Sequence, residues 1–263
     1  MNIEFKNTEL PDIIELKNIS QSYNKGKTFV IKDLNLLIED KPNSGQFVVI
    51  LGKSGCGKST ILRYIAGLQK PTYGDILLYG RQKTEVDRAG MVFQQYSSFP
   101  WLTVLENVGL GLRLKGFSKK EIKEKSFEMI KTVGLSGHEN KYAQYPILSG
   151  GQLQRVAIAR SLAVNSDILL CDEPFGALDI NTRLTMQNML LGISKNLKST
   201  IILITHDISE AVYLADQIYV MSANPGQIVK KINIDLPERN SNIKKTIQFI
   251  GFVNEIEETM LNS

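Results

Sequence analysis

Apolar positions along the chain switch between two periods. Residues 13–20 (IIELKNIS) alternate weakly, and residues 29–38 place Val30, Leu34, Leu36 and Ile38 at alternating positions, so both read as strands. Continuous apolar runs of strand length fill 47–51 (FVVIL), 168–171 (ILLC) and most of 200–205 (TIILIT), as suits strands buried on both faces. Helical spacing appears between them. Ile61, Leu62, Ile65 and Leu68 share one face of a helix expected to begin near Lys58. From Thr103 the period is again helical. Ser118 and Glu121 have capping-box spacing ahead of Ile122, Met129, Ile130 and Val133, and Asp207 and Glu210 have the same spacing in a helix expected over 207–214. Helices are also expected after Ser149 and from about Asp179. Residues 72–94 read as a short hairpin followed by the strand MVF, 217–221 (QIYVM) and 228–234 (IVKKINI) as late strands, and 242–261 as a last helix. Residues 41–45 (KPNSG) are a turn-rich loop.

Strands alternating with helices predict an α/β fold with a mostly parallel sheet. The stretch from about 97 to 155 has helical patterns and little strand character, so a helical insertion is expected there. Long repeats, low-complexity segments and obvious linkers are not seen, which predicts one domain over 1–263 with a tail at about 236–263.

Composition narrows the class. The 263 residues are 43% hydrophobic and 22% charged, which excludes a wholly disordered chain. The net charge of +4 is spread along the chain rather than clustered, so no nucleic-acid partner is expected. Two cysteines, Cys56 and Cys171, do not make a disulfide scaffold and read as reduced thiols in a cytosol. No apolar run reaches the ~18 residues of a spanning helix. The opening MNIEFKNTEL lacks the basic-then-apolar order of a signal peptide.

Three motifs carry chemistry. Gly52-Lys53-Ser54-Gly55-Cys56-Gly57-Lys58-Ser59 matches G-x-x-x-x-G-K-[ST], set between an apolar strand and a helix. Such glycines let backbone N–H groups turn toward phosphate oxygens, and the following helix presents its positive end to the same anion. Lys58 can reach the β- and γ-phosphates and the Ser59 hydroxyl can bind Mg²⁺. Second, ILLC ends in Asp172-Glu173; a strand-end Asp can sit beside the Mg²⁺ of a phosphate loop, and the adjacent Glu173 can act as general base toward water. Third, Leu148-Ser149-Gly150-Gly151-Gln152 opens a helix whose unpaired N–H groups favour an anion, although an ordinary N-cap fits as well.

Taken in order, Gly52–Ser59, Gln94, LSGGQ at 148–152, Asp172-Glu173, Asp179 and His206 resemble the ATP-binding subunits of ABC transporters over about residues 13–235. The resemblance implies a phosphate-loop NTPase core, an antiparallel β subdomain and a helical subdomain. The spacing between loop and pentad leaves no room for the long coiled coil of chromosome-maintenance relatives. MSANPGQI (221–228) and FPWLTVLENV (99–108) look like the branch importing nitrate, sulfonates and taurine, and the large C-terminal regulatory domain of sugar-importer relatives is not expected. Three departures stand out: a single residue, Ile147, between Pro146 and the pentad, Leu153 where a polar residue is common, and a longer loop at 40–45.

The resemblance also implies roles. ATP is held by Gly52 to Ser59 with Thr60, its adenine stacks on Tyr23, and Mg²⁺ is met by Ser59, Gln94 and Asp172. Lys58, Glu173 and His206 are the catalytic set, His206 contacting the γ-phosphate and steadying Glu173 or the water. Tyr23 also fits a packed strand-end residue, and Asp179 also fits an N-cap. Ser149, Gly150, Gly151 and Gln152 are implied to meet the ATP of a second copy, or of a homologous ATPase subunit, in a head-to-tail dimer, with Asp179 in the turn that crosses it. Transmembrane permease subunits, and indirectly a solute-binding protein, complete the implied machine at the cytoplasmic face of the membrane. The alternative is a non-transport ABC ATPase energising another membrane or ribosomal machine. Trp101, the only tryptophan, either packs inside the helical subdomain or lines the permease groove.

Overall fold

The computed structural model describes residues 12–24, 26–41, 43–84, 89–164, 167–237, 239–240 and 242–263. In chain order the strands are β1 (Ile14–Gln21), β2 (Ile31–Ile38), β3 (Gln46–Gly52), β4 (Tyr73–Leu78), β5 (Arg81–Gln82), β6 (Gly90–Val92), β7 (Ile168–Asp172), β8 (Thr200–Thr205), β9 (Gln217–Met221) and β10 (Ile228–Asn233). The helices are α1 (Lys58–Ala66), α2 (Val104–Leu114), α3 (Lys119–Thr132), α4 (Gly150–Val164), α5 (Ile180–Leu197), α6 (Ile208–Leu214) and α7 (Ile247–Leu261), with a 3₁₀ turn at Ile243–Lys245.

Two sheets form. One is antiparallel in the order β2-β1-β4-β5; the other runs β10-β9-β3-β8-β7-β6, parallel except for β10. Every residue of β3 and β8 is buried, as their continuous apolar runs predict. Alternation along β3 divides the interior. Val48 and Ile50 face the cluster built from α1 and the antiparallel sheet, including Ile14, Leu16, Ile61 and Ile65. Phe47, Val49 and Leu51 face the other cluster, which takes in Val104, Val108, Leu148 and Val156 of the helical stretch and Leu190 and Phe249 from α5 and α7. The helices between 97 and 155 therefore share a core with one face of the parallel sheet.

Register places the chemistry. Leu51 pairs with Thr205 across β3 and β8, and Asp172 pairs with Ile204 across β7 and β8. The phosphate loop, Glu173 and His206 thus leave the carboxyl ends of three neighbouring parallel strands, where open α/β sheets bind ligands.

Three expectations are corrected. Strand β2 buries Ile31 rather than Val30, because the β1–β2 pairing slips near Asp33, whose φ is 48°. Leu68 lies outside α1 and is exposed, because Gly67 ends the helix in the left-handed region with φ 75°. Asp207 caps α6 by accepting from the Glu210 N–H at 2.9 Å, but the Glu210 side chain does not reach back. That carboxylate is buried and accepts from Gln187 Nε2 at 3.1 Å. Among the described residues no helix is long and apolar enough to cross a membrane.

Two glycines test the packing. A Cβ at Gly45 would lie 1.8 Å from the Ser194 carbonyl oxygen, whereas one at Gly192, on the neighbouring stretch of α5, meets open space. Gly45→Ala is expected to destabilise by about 1–3 kcal/mol through overpacking against backbone. Gly192→Ala should stabilise by about 0.5–1 kcal/mol through lower unfolded-state entropy and better helix propensity. Urea denaturation of both variants checks the pair.

Candidate active site

The phosphate loop joins β3 to α1. Gly55 and Gly57 take φ of 82° and 103°, a region that L side chains rarely adopt. A Cβ at Gly57 would also lie 2.7 Å from Ile31 Cγ1. Gly57 is the N-cap of α1 and offers no side-chain acceptor, which leaves the N–H groups of the first turn to an outside anion. Lys58 is buried, and its Nζ donates to the Gly52 carbonyl at 2.7 Å and the Lys53 carbonyl at 3.0 Å. Lys53, Ser54 and Gly55 are exposed at the tip, and Thr60 is buried behind it. Burial pushes the Cys56 thiol up, so it stays protonated and inert.

The Ser59 hydroxyl donates to Asp172 Oδ1 at 3.2 Å. Burial raises the Asp172 carboxyl above its ordinary value, the Ser59 bond partly opposing it and the neighbouring Glu173 adding to it. A hydroxyl and a carboxylate side by side are hard oxygen donors of the kind Mg²⁺ takes while keeping several waters, so the pair fits that ion. Glu173 follows with a left-handed φ of 43° and its N–H bonded to the Ile204 carbonyl at 3.1 Å. Such backbone costs of order 1–3 kcal/mol and gathers at functional sites. His206 Nδ1 lies 3.2 Å from Glu173 Oε1, with the imidazole more than half exposed. The Gln94 side chain lies near Gly176, in the loop after Glu173.

The other nominated residues stand elsewhere. Tyr23 is two-thirds exposed rather than packed, and its hydroxyl accepts from Gln69 Nε2 at 3.3 Å. Asp179 is the N-cap of α5, accepting from the Asn181 and Thr182 N–H groups at 3.1 Å; the Thr182 side chain first, and then these N–H groups, hold its carboxyl low. The pentad opens α4 and caps itself: the Ser149 N–H donates to Gln152 Oε1 at 2.9 Å and the Gln152 N–H to Ser149 Oγ at 3.3 Å. A Cβ at Gly150 would lie 2.1 Å from the Tyr96 hydroxyl oxygen, and one at Gly151 2.5 Å from Thr182 Cγ2. Ser149, Gly151 and Gln152 border a concavity shared with Asn181 and Thr182, not with the phosphate loop. Trp101 is exposed and packs its ring on Phe99 at 5.4 Å, outside the helical core.

Residues 32–176, more than half of the chain, match the model of the ABC transporter family. The chain belongs to that family. It is 44% identical to the nitrate import ATP-binding protein NrtD of Synechocystis over 90% of each chain. It is also 44% identical to the aliphatic sulfonates import ATP-binding protein SsuB of Bacillus licheniformis over 88% of each. Among solved structures, cbiO1 from Clostridium perfringens, part of the ABC transporter complex cbiONQ, aligns with TM-score 0.76 and 26% identity over 96% of this chain and 95% of its own. The ATP-binding cassette MJ0796, in a dimeric post-hydrolysis state bound to ADP and Pi, aligns with TM-score 0.70 and 33% identity over 85% of this chain and all of its own. The chain is an ABC ATPase.

Sequence reasoning overlooked several groups around this ABC site. Arg160 donates to the Ser97 carbonyl and hydroxyl at 2.8 Å and lies over the Phe99 ring, tying α4 to the segment after Gln94. Gln187 of α5 bonds Glu210, so α5 is tied to the helix that follows His206. Capping-box spacing at 207 and 210 pointed to Glu210 but misjudged its partner. His138, given no role above, lies 3.0 Å from Gln152.

Glu210 supplies a pH test away from the phosphate groups. Burial, with Asp207 nearby, raises its carboxyl above the ordinary value, while bonds from Thr205 and Gln187 oppose this. At neutral pH its ionised form therefore costs folded-state stability, and that cost fades as pH falls through the raised value. Glu210→Gln is expected to exceed the parent in unfolding midpoint at pH 7, with the gain shrinking toward acid pH. Thermal unfolding of both proteins across pH checks it.

Proposed function

We propose that the chain is the ATP-hydrolysing subunit of an importer for a small anionic solute such as nitrate, a sulfonate or taurine. The reading of cargo rests on the 44% identity to subunits named for nitrate and sulfonate import. The reading of chemistry rests on one observation: Glu173 and His206 form a 3.2 Å pair at the strand ends beside the Ser59–Asp172 pair.

In this mechanism, Gly52 to Thr60 wrap the ATP phosphates with backbone N–H groups, and Tyr23 stacks on adenine. Lys58 exchanges its loop-carbonyl partners for phosphate oxygens. Ser59, Asp172 and Gln94 hold Mg²⁺, which supplies charge neutralisation on the phosphates when bound. Glu173 accepts a proton from water as the water oxygen bonds to the γ-phosphorus and the bond to the bridging β–γ oxygen breaks. His206 Nδ1–H holds the Glu173 carboxylate in place. Positioning and charge neutralisation carry most of the barrier reduction.

One chain leaves its pentad bordering a concavity away from its own phosphate loop. In the proposed clamp two copies, or this chain and a homologous subunit, meet head to tail, so that Ser149–Gln152 of one closes on the ATP of the other, with Asp179 in the crossing turn. ATP favours the closed dimer and hydrolysis releases it. Residues 97–155 act as a helical subdomain, and the segment from Gln94 to Asn107 carries the motion to transmembrane permease subunits at the cytoplasmic face of the membrane. A solute-binding protein delivers the cargo to that permease.

Glu173→Gln keeps shape but cannot take the proton, so phosphate release should fall at least ~100-fold while ATP binding persists. With ATP this variant should run as a dimer in size-exclusion with light scattering, and adding Ser149→Arg should return it to a monomer. Near-normal turnover in Glu173→Gln, or dimers indifferent to ATP, contradicts the scheme.

The exposed Trp101 gives a second handle. Its fluorescence, the only indole signal in the chain, is expected to be that of a partly exposed indole and to shift to the blue when the permease is added. Trp101→Ala should reduce recovery of the assembled transporter; an unchanged spectrum and full recovery refute the docking assignment.

A further inference from the structure

His138 stands in the loop between α3 and α4, half-buried against the first turn of α4. Its Nε2 lies 3.0 Å from Gln152 Nε2. Gln152 Oε1 is already engaged, accepting from the Ser149 N–H at 2.9 Å, so the amide nitrogen must face the imidazole. An amide nitrogen only donates, and His138 Nε2 therefore accepts. The ring is then neutral with its proton on Nδ1. Nδ1 is buried and has no hydrogen-bond partner among the described residues. A buried N–H left unpaired costs free energy, so His138 gains nothing from Nδ1 that an apolar residue would lack. Its polar contribution is the acceptor at Nε2.

That acceptor completes a relay. Gln152 donates to His138 and accepts from the Ser149 N–H, and Ser149 Oγ accepts from the Gln152 N–H. Both polar ends of the Gln152 side chain are thereby fixed. Among the described residues Ser149 Oγ only accepts, from the Gln152 N–H, which leaves its O–H to donate outward. We propose that His138 is a positioning residue for the LSGGQ turn: by accepting from the Gln152 amide it locks the orientation in which Ser149 meets the ATP of the opposing copy. This rests on the head-to-tail clamp proposed above.

The surrounding loop does not depend on the imidazole. The His138 N–H donates to the Leu135 carbonyl at 3.0 Å, the Lys141 N–H donates to the His138 carbonyl at 3.0 Å, and the Leu105 N–H donates to the Glu139 carbonyl at 3.0 Å. Arg155 Nη1 separately ties α4 to the Val133 carbonyl at 3.2 Å. Replacing the ring thus removes a contact and leaves the backbone frame.

Two measurements test this. The chain has only two histidines, so nitrogen-15 spectra of the imidazoles can be assigned with His206→Ala. His138 is expected as the neutral tautomer protonated at Nδ1, and Gln152→Leu should abolish that preference. A ring protonated at Nε2 in the native protein overturns the relay. The second measurement uses the ATP-driven dimer of Glu173→Gln. Two relays act per dimer, so adding His138→Leu should raise the dimer dissociation constant roughly tenfold to hundredfold. His138→Gln, whose Oε1 can accept at the same reach, should restore most of it. The loss should appear in dimerisation and not in the ATP affinity of the monomer. If Glu173→Gln itself fails to dimerise with ATP, the clamp falls and the proposal with it. If that dimer is tight but indifferent to His138→Leu, or if Leu and Gln weaken it equally, only the role of His138 falls.

Discussion

The parallel, in-register pairing of β3, β8 and β7 is the constraint on which the rest depends. Leu51 stands opposite Thr205, and Asp172 opposite Ile204, so the three strands end at one edge of the sheet. Such pairing is stable only when both sheet faces are covered, which is why these strands are runs of Val, Ile and Leu. Helix α1 and the antiparallel sheet cover one face, and α2–α7 cover the other. The loop, carboxylates and imidazole leave this edge together, and a site carried on rigid elements keeps its geometry better than one carried on loops alone.

Local cost gathers at that edge. Glu173 holds a left-handed backbone, Gly57 stands where a Cβ would strike Ile31, and burial raises the Asp172 carboxyl. Lys58 spends its donors on the carbonyls of its own loop. Departures from local rules of this kind collect at functional sites.

The starts of α1 and α4 differ in a telling way. Helix α1 follows a glycine-rich turn and α4 opens on two glycines of its own, but Gly57 provides no side-chain cap, whereas Ser149 and Gln152 cap each other and Gln152 also engages His138. The first start is open to phosphate along its backbone. The second is ordered in advance, and in the proposed clamp its defined hydroxyl costs less ordering entropy to engage.

Much was legible in the chain itself because its cues are local. Apolar runs set the buried strands, the capping pair at Ser118–Glu121 set a helix start, and the glycine spacing of 52–59 set the phosphate loop. Family membership followed from the order of short motifs. What remained hidden depends on contacts between residues far apart in sequence. Capping spacing could not reveal that Glu210 bonds Gln187 rather than its own helix start, nor that Arg160 reaches Ser97 across 63 residues. No local cue sets His138 apart, and only folding brings it against Gln152. Hydrophobic period and turn chemistry are written residue by residue, so the sequence determined the elements and their order. Which polar atoms share a hydrogen bond is decided by how those elements pack, and only the tertiary structure settles that.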